Sequence, residues 1–273
     1  MIIKTETNSF FQKSGFVLDN AYEQYYLNRY VEFYQKNDTE YIRCQDDDLS
    51  NLSSFKNLKY LKISNDAYNF EALSDLTELS GLEICLSQLN SIPENIKSQI
   101  KSLFLHCEDN KIKGLSSFPD LKDLKADGYP GFNNVDLSFC KGLNLHNLYL
   151  TSRYIKSLEG IESITSLESL DLSDCNNLVD ISALSNLPSL RTLMIMSCKN
   201  LRSDFTDFIP LSIEKLEIYF DEVSWQAREF ETLKFIEKLK NLKEFTTNFK
   251  IKKKLLGEIK YNCNMNLYNL KNR

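Results

Sequence analysis

Glycine and proline are scarce in this chain of 273 residues, at 8 and 5, which excludes collagen-like and linker-like sequences. No Gly-x-Gly occurs among the glycines, so dinucleotide and phosphate-loop motifs are absent. Histidine is rarer still. His106 and His146 stand forty residues apart, and no His-Glu-x-x-His helix can be built from them. No run reaches the ~18 apolar residues of a membrane helix. The segment Met1 to Asn8 never develops the apolar stretch of a signal peptide. The net charge of -5 is too small to hold the chain open by self-repulsion and has the wrong sign for coating nucleic acid. Asp46-Asp47-Asp48 lacks the glycine and terminal glutamate of a calcium loop and reads as a solvated turn. The expectation is a cytoplasmic protein with no cofactor, no metal site, and neither nucleic acid nor membrane as a partner. Its seven cysteines, an odd number, should be reduced thiols.

What is present is a core and a repeat. Hydrophobic residues make up 42% and aromatics 12%, enough to bury one large domain or two small ones. The pattern Leu-x-x-Leu-x-Leu recurs from Leu58, Leu79, Ile100, Leu121, Leu145, Leu167, Leu190, Ile213 and Leu242, in steps of 21, 21, 21, 24, 22, 23, 23 and 29. Of the 27 sites this defines, only Thr247 is not apolar, far beyond what 42% hydrophobic content gives by chance. A second element precedes each strand. Leu52 and Phe55, Leu73 and Leu76, Leu115 and Phe118, Ile161 and Ile164, Leu184 and Leu187, and Ile236 and Leu239 are apolar pairs three apart. Each suits a short helical turn packed behind a strand.

These units resemble the leucine-rich repeat family, specifically the class of about 22 residues found in bacterial internalins. The resemblance covers roughly residues 36 to 250. It implies an α/β solenoid with a curved parallel sheet on its concave side, short helical turns on its convex side, and helical caps. In the family, position 9 is usually Asn or Cys, turned inward to satisfy the turn's backbone. Cys175 and Cys198 stand there, and Cys44 fits a weaker first unit carrying Tyr41. Ser87, Glu108, Tyr129, Arg153, Asp221 and Lys250 depart from the pattern, so this polar ladder is degraded and the coil should be irregular.

The ends differ from the middle. Asn20-x-x-Glu23 reads as a variant capping box opening a helix to about Lys36, rich in tyrosine, so residues 1–40 are expected to form an N-terminal helical cap. Repeats should fill 41–250, with a longer helix from Ala227 to Leu239 beside Trp225. Residues 251–273 form a basic capping segment, read as a solvated helix. Its net of +5, set against -5 for the whole chain, leaves residues 1–250 at -10.

One row of residues carries possible chemistry. Cys85, His106 and Asp127 occupy position 7 of three successive units, which places them side by side ~5 Å apart. That is the order of a thiol triad or a partial zinc site. The sheet supplies no evident oxyanion hole, pocket wall or fourth ligand. Cys107-Glu108-Asp109 is similar to the Cys-x-Asp motif of bacterial leucine-rich-repeat ubiquitin ligases, but their separate helical catalytic domain has no room here. The chain is read as non-catalytic.

Positions 3, 5 and 7 of each strand face away from the core. Aromatic and apolar groups there match the composition of protein-binding anchors. The candidate partner-binding residues are Tyr60, Phe104, His106, Asp127, Tyr149, Asp171, Met194, Met196, Glu217 and Tyr219. The reading is a protein that holds a protein partner, a basic one given the acidic body, in its concave face. Its concrete form is a bacterial immunity protein inhibiting a toxin. The alternatives are an effector or enzyme using the Cys85, His106 and Asp127 row, or a general scaffold.

Overall fold

The computed structural model describes residues 41–44, 47–202, 204–219, 234–248 and 263–267. Eleven strands form one parallel sheet in sequence order: β1 (Tyr41–Arg43), β2 (Tyr60–Lys62), β3 (Gly81–Cys85), β4 (Ser102–Glu108), β5 (Asp123–Gly131), β6 (Asn147–Thr151), β7 (Ser169–Ser173), β8 (Thr192–Met196), β9 (Lys215–Tyr219), β10 (Glu244–Thr247) and β11 (Asn264–Leu267). The register follows the repeat. Leu61, Leu82, Leu103, Leu124, Leu148, Leu170, Leu193, Leu216 and Phe245 stand opposite one another strand by strand. All nine are buried. Alternation along a strand sends these residues inward and the flanking positions 3, 5 and 7 to the other face of the sheet.

The return path closes with short 3-10 elements and, before β10, with the last turn of a short α-helix. Phe55, Leu76, Phe118, Ile164, Leu187 and Leu239 each donate a backbone N–H to the carbonyl three residues earlier, on Leu52, Leu73, Leu115, Ile161, Leu184 and Ile236. Residues three apart eclipse in a 3-10 turn, so both members of each pair point the same way. All twelve side chains are buried in the core. Within the expected helix from Ala227 to Leu239, Lys234–Lys238 is helical. Its earlier part, Trp225 and the expected cap at 1–40 lie outside the described residues.

The long step from Leu121 to Leu145 is absorbed by β5, which runs on to Gly131 with a register shift opposite His106 and Glu108. Two glycines permit it. Gly128 has φ +152°, and a Cβ there would stand 2.1 Å from the Cys107 carbonyl oxygen. Gly131 has φ +97°, and its Cβ would lie 2.7 Å from the Ser152 Cα.

Two readings need correction. The basic tail is not helical where it is described, because Asn264–Leu267 pairs with Glu244–Thr247 as a further strand. The sheet therefore continues past the expected repeat boundary at residue 250. The polar ladder is also less degraded than position 9 suggested, because other residues take over its task. Gln88 donates to the Ser64 and Asn65 carbonyls while its side-chain oxygen accepts from the Cys85 N–H. Ser152 donates to Phe132 O, and Asn134 accepts from the Ile112 N–H.

Candidate functional site

The outward face of the sheet divides into two parts. In the first, Tyr60, Glu83 and His106 lie on a diagonal across β2, β3 and β4. Diagonal neighbours on a sheet are within reach of long side chains. Tyr60 Oη donates to Glu83 Oε2 at 2.7 Å, and His106 Nε2 lies 2.7 Å from Glu83 Oε1. Lys62, directly beside Glu83, makes an ion pair with the same oxygen. Burial by itself would raise the Glu83 pKa. The hydrogen bond from His106, the charge of Lys62 and the bonds from Lys62 and Tyr60 outweigh it and hold the carboxyl at about 2.

The same network accounts for two of the candidates differently than expected. Tyr60 is 1% exposed and Phe104 5% exposed, so neither stands out as an anchor for a partner. The Phe104 ring packs against the His106 ring, centroids 4.4 Å apart, and lies under the Lys125 ammonium at 4.1 Å. Lys125 also sits 4.7 Å from the centre of the Tyr149 ring, with Asp127 Oδ2 at 3.6 Å. Burial lowers the Lys125 pKa, and the nearby Asp127 and Glu83 charges resist that fall. Cation–π contact explains why a lysine is tolerated there. The signal was present in the sequence: position 5 reads Phe104, Lys125, Tyr149 in consecutive units.

Cys85, His106 and Asp127 are in register side by side, as their spacing required. Their side chains do not form a relay. The Cys85 thiol donates to Asn65 Oδ1 at 3.0 Å, and Asp127 Oδ1 accepts the Gly128 N–H at 2.7 Å. Burial, then the Glu108 and Asp66 charges, push the Cys85 pKa up, away from a nucleophilic thiolate. Cys107 is buried, and its thiol is pushed up to about 12, chiefly by burial. Among the described residues no group of three or more His, Cys, Asp or Glu could hold a metal ion. Cys175 and Cys198 point inward, their thiols 3.5 Å from Ser173 O and 3.4 Å from Met196 O. That is the backbone-satisfying place the repeat assigns them.

The second part of the face, β6 to β9, is where large side chains remain partly accessible. Tyr149, Asp171, Met194, Met196, Glu217 and Tyr219 are all half-buried. Tyr149, Asp171, Met194 and Glu217 are successive neighbours in one row, and Met196 stands beside Tyr219 in the next. Glu217 accepts from Lys215 Nζ at 2.8 Å and from Tyr219 Oη at 3.1 Å. It is thus oriented by its own chain. No helix among the described residues is long and apolar enough to cross a membrane.

The family described as leucine rich repeats (2 copies) matches residues 143–186 and again 165–210. No curated protein matches the chain by sequence. Among solved structures, an internalin C2 from Listeria monocytogenes is 20% identical with a TM-score of 0.49, over 63% of this chain and 76% of that one. An internalin F from the same organism is 20% identical with a TM-score of 0.43, over 76% of this chain and 65% of that one. A chain of the Toll–Spatzle complex of Drosophila is 13% identical with a TM-score of 0.50, over 84% of this chain and 36% of that one. At that identity, the last likeness speaks to the fold alone.

Proposed function

We propose that this leucine-rich repeat protein is a non-catalytic binding scaffold that holds a protein partner against β6 to β9 of its concave sheet. The observation that carries the reading is the placement of Tyr149, Met194, Met196 and Tyr219. They are large side chains at outward positions, partly accessible, on strands whose other faces are locked in the core. Anchors on a rigid surface lose little entropy on binding. The buried, hydrogen-bonded Cys85 and the engagement of His106 by Glu83 weigh against the row as a nucleophilic centre.

In its finer form the scaffold is a dedicated cytoplasmic inhibitor, an immunity protein that occupies a toxin's functional surface. The charge of -10 on residues 1–250 favours a basic partner by steering its approach. The test is affinity capture from the native cell with the wild-type chain, a Tyr149→Ala, Met194→Ala variant, and Leu211→Ser as a control at an exposed residue outside the sheet. The proposal expects one protein that the wild type and the control retain and the double variant loses. Retention by all three would reject the concave face.

A further inference from the structure

Strand β8 carries two of the chain's four methionines, Met194 and Met196, at alternate positions and therefore on one side of the sheet. Leu193 and Ile195, on the other side, are wholly buried, while both methionines are half-buried. Hydrogen peroxide is little larger than water, so a side chain that touches solvent is within its reach. Met194 stands between Asp171 on β7 and Glu217 on β9, and Met196 between Ser173 and Tyr219. The two carboxylates disfavour an anionic oxidant beside Met194, which leaves a neutral hydroperoxide as the matching reagent.

Cysteines are the usual competitors for such a reagent, and here they are withdrawn from it. Six of the seven are buried. A thiol attacks a peroxide as its thiolate. Burial raises the pKa of Cys85, Cys107 and Cys140, and that of the partly exposed Cys263. A thioether has no proton to lose, so access alone sets its reactivity.

We propose that Met194 and Met196 form an oxidation site, and that their conversion to sulfoxides by a hydroperoxide releases the protein partner. The inference rests on the concave-face reading above and adds its regulation. In each step a sulfur lone pair attacks one peroxide oxygen. The S–O bond forms as the O–O bond breaks, the departing hydroxide takes the proton of the transferred oxygen, and water leaves. Sulfur gives up two electrons and the peroxide accepts two. The product puts a polar acceptor where an apolar thioether stood. Asp171 and Glu217 offer Met194 only carboxylate oxygens, which accept hydrogen bonds and give none. Under a partner fitted to a thioether, the new oxygen is buried without a donor, which disfavours the complex.

The test treats the full native chain with hydrogen peroxide, keeps N-acetylmethionine amide in the same tube as a reference, and follows every methionine and cysteine by peptide mass spectrometry. Met194 and Met196 are expected to react within about tenfold of the reference and ahead of all six buried cysteines. Protection of both by about a hundredfold or more, or oxidation of a buried cysteine first, overturns the proposal with no variant and no partner needed. The captured partner is then titrated against untreated and oxidised wild type and against Met194→Leu, Met196→Leu treated in the same way, with folding followed by circular dichroism. Oxidised wild type should bind about tenfold or more weakly and recover with methionine sulfoxide reductase and dithiothreitol. The leucine variant should bind equally before and after peroxide. Equal affinity of oxidised and untreated wild type, an equal loss in the leucine variant, or unfolding on oxidation overturns the proposal. Such a failure is distinguishable from failure of the concave-face reading, which depends on whether the Tyr149→Ala, Met194→Ala variant still captures the partner.

Discussion

The Lys125 ammonium lies 4.1 Å above the centre of the Phe104 ring, a contact between neighbouring strands at the same position of successive repeats. It converts an aromatic residue at an outward position into part of the structure. Phe104→Leu should lower stability by about 1 kcal/mol, as should Lys125→Met, and the double change should cost less than the two together. A double-mutant cycle in urea measures this coupling. Additive effects would mean the contact contributes nothing.

Glu83 makes stability depend on acid. Its carboxyl titrates at about 2 in the folded chain against an ordinary value of 4.5. A depressed pKa gives stability that is complete above the unfolded value and disappears as pH falls through the folded one. The wild type should thus lose on the order of 3 kcal/mol between about pH 4.5 and about pH 2 from this group. Glu83→Gln should flatten that part of the profile. Parallel pH profiles for the two proteins would remove Glu83 from the account.

The repeat register has a direct packing test. Leu170 is wholly buried in the middle of the sheet. Leu170→Ala should cost ~2–5 kcal/mol, the usual range for a truncated core leucine. A change below about 0.5 kcal/mol would fit only a surface position.

Thiol chemistry separates the binding reading from the enzymatic one. Six of the seven cysteines are buried, and Cys263 is partly exposed. Ellman's reagent should modify Cys263 first and the other six only as the protein unfolds. Fast labelling of Cys85 in the native protein would restore the triad reading.

The fold was legible because the core makes a periodic demand. Leu61, Leu103, Leu170 and Leu193 recur where each strand must bury a side chain, and the pairs such as Leu184 and Leu187 recur where each 3-10 turn must do so. The outward face is written by pairs of neighbours instead. Tyr60 and Phe104 looked like free anchors because outward positions are ordinarily accessible. Their burial goes with specific neighbours, Glu83 for one and Lys125 and His106 for the other. Gln88 was missed as a turn-satisfying residue because it stands one place beyond the family's usual column. It does the same task through a longer side chain.

The measurement that bears most directly on the concave-face claim is the affinity of the captured partner for wild type and for Tyr149→Ala, Met194→Ala, with folded stability measured alongside. Tyr149→Ala also removes the ring beside Lys125, so stability should fall by about 1 kcal/mol while the chain stays folded. Affinity should fall about thirtyfold or more, at ~2 kcal/mol for a central anchor. Unchanged affinity in the folded variant would contradict the claim and move the binding surface off this sheet.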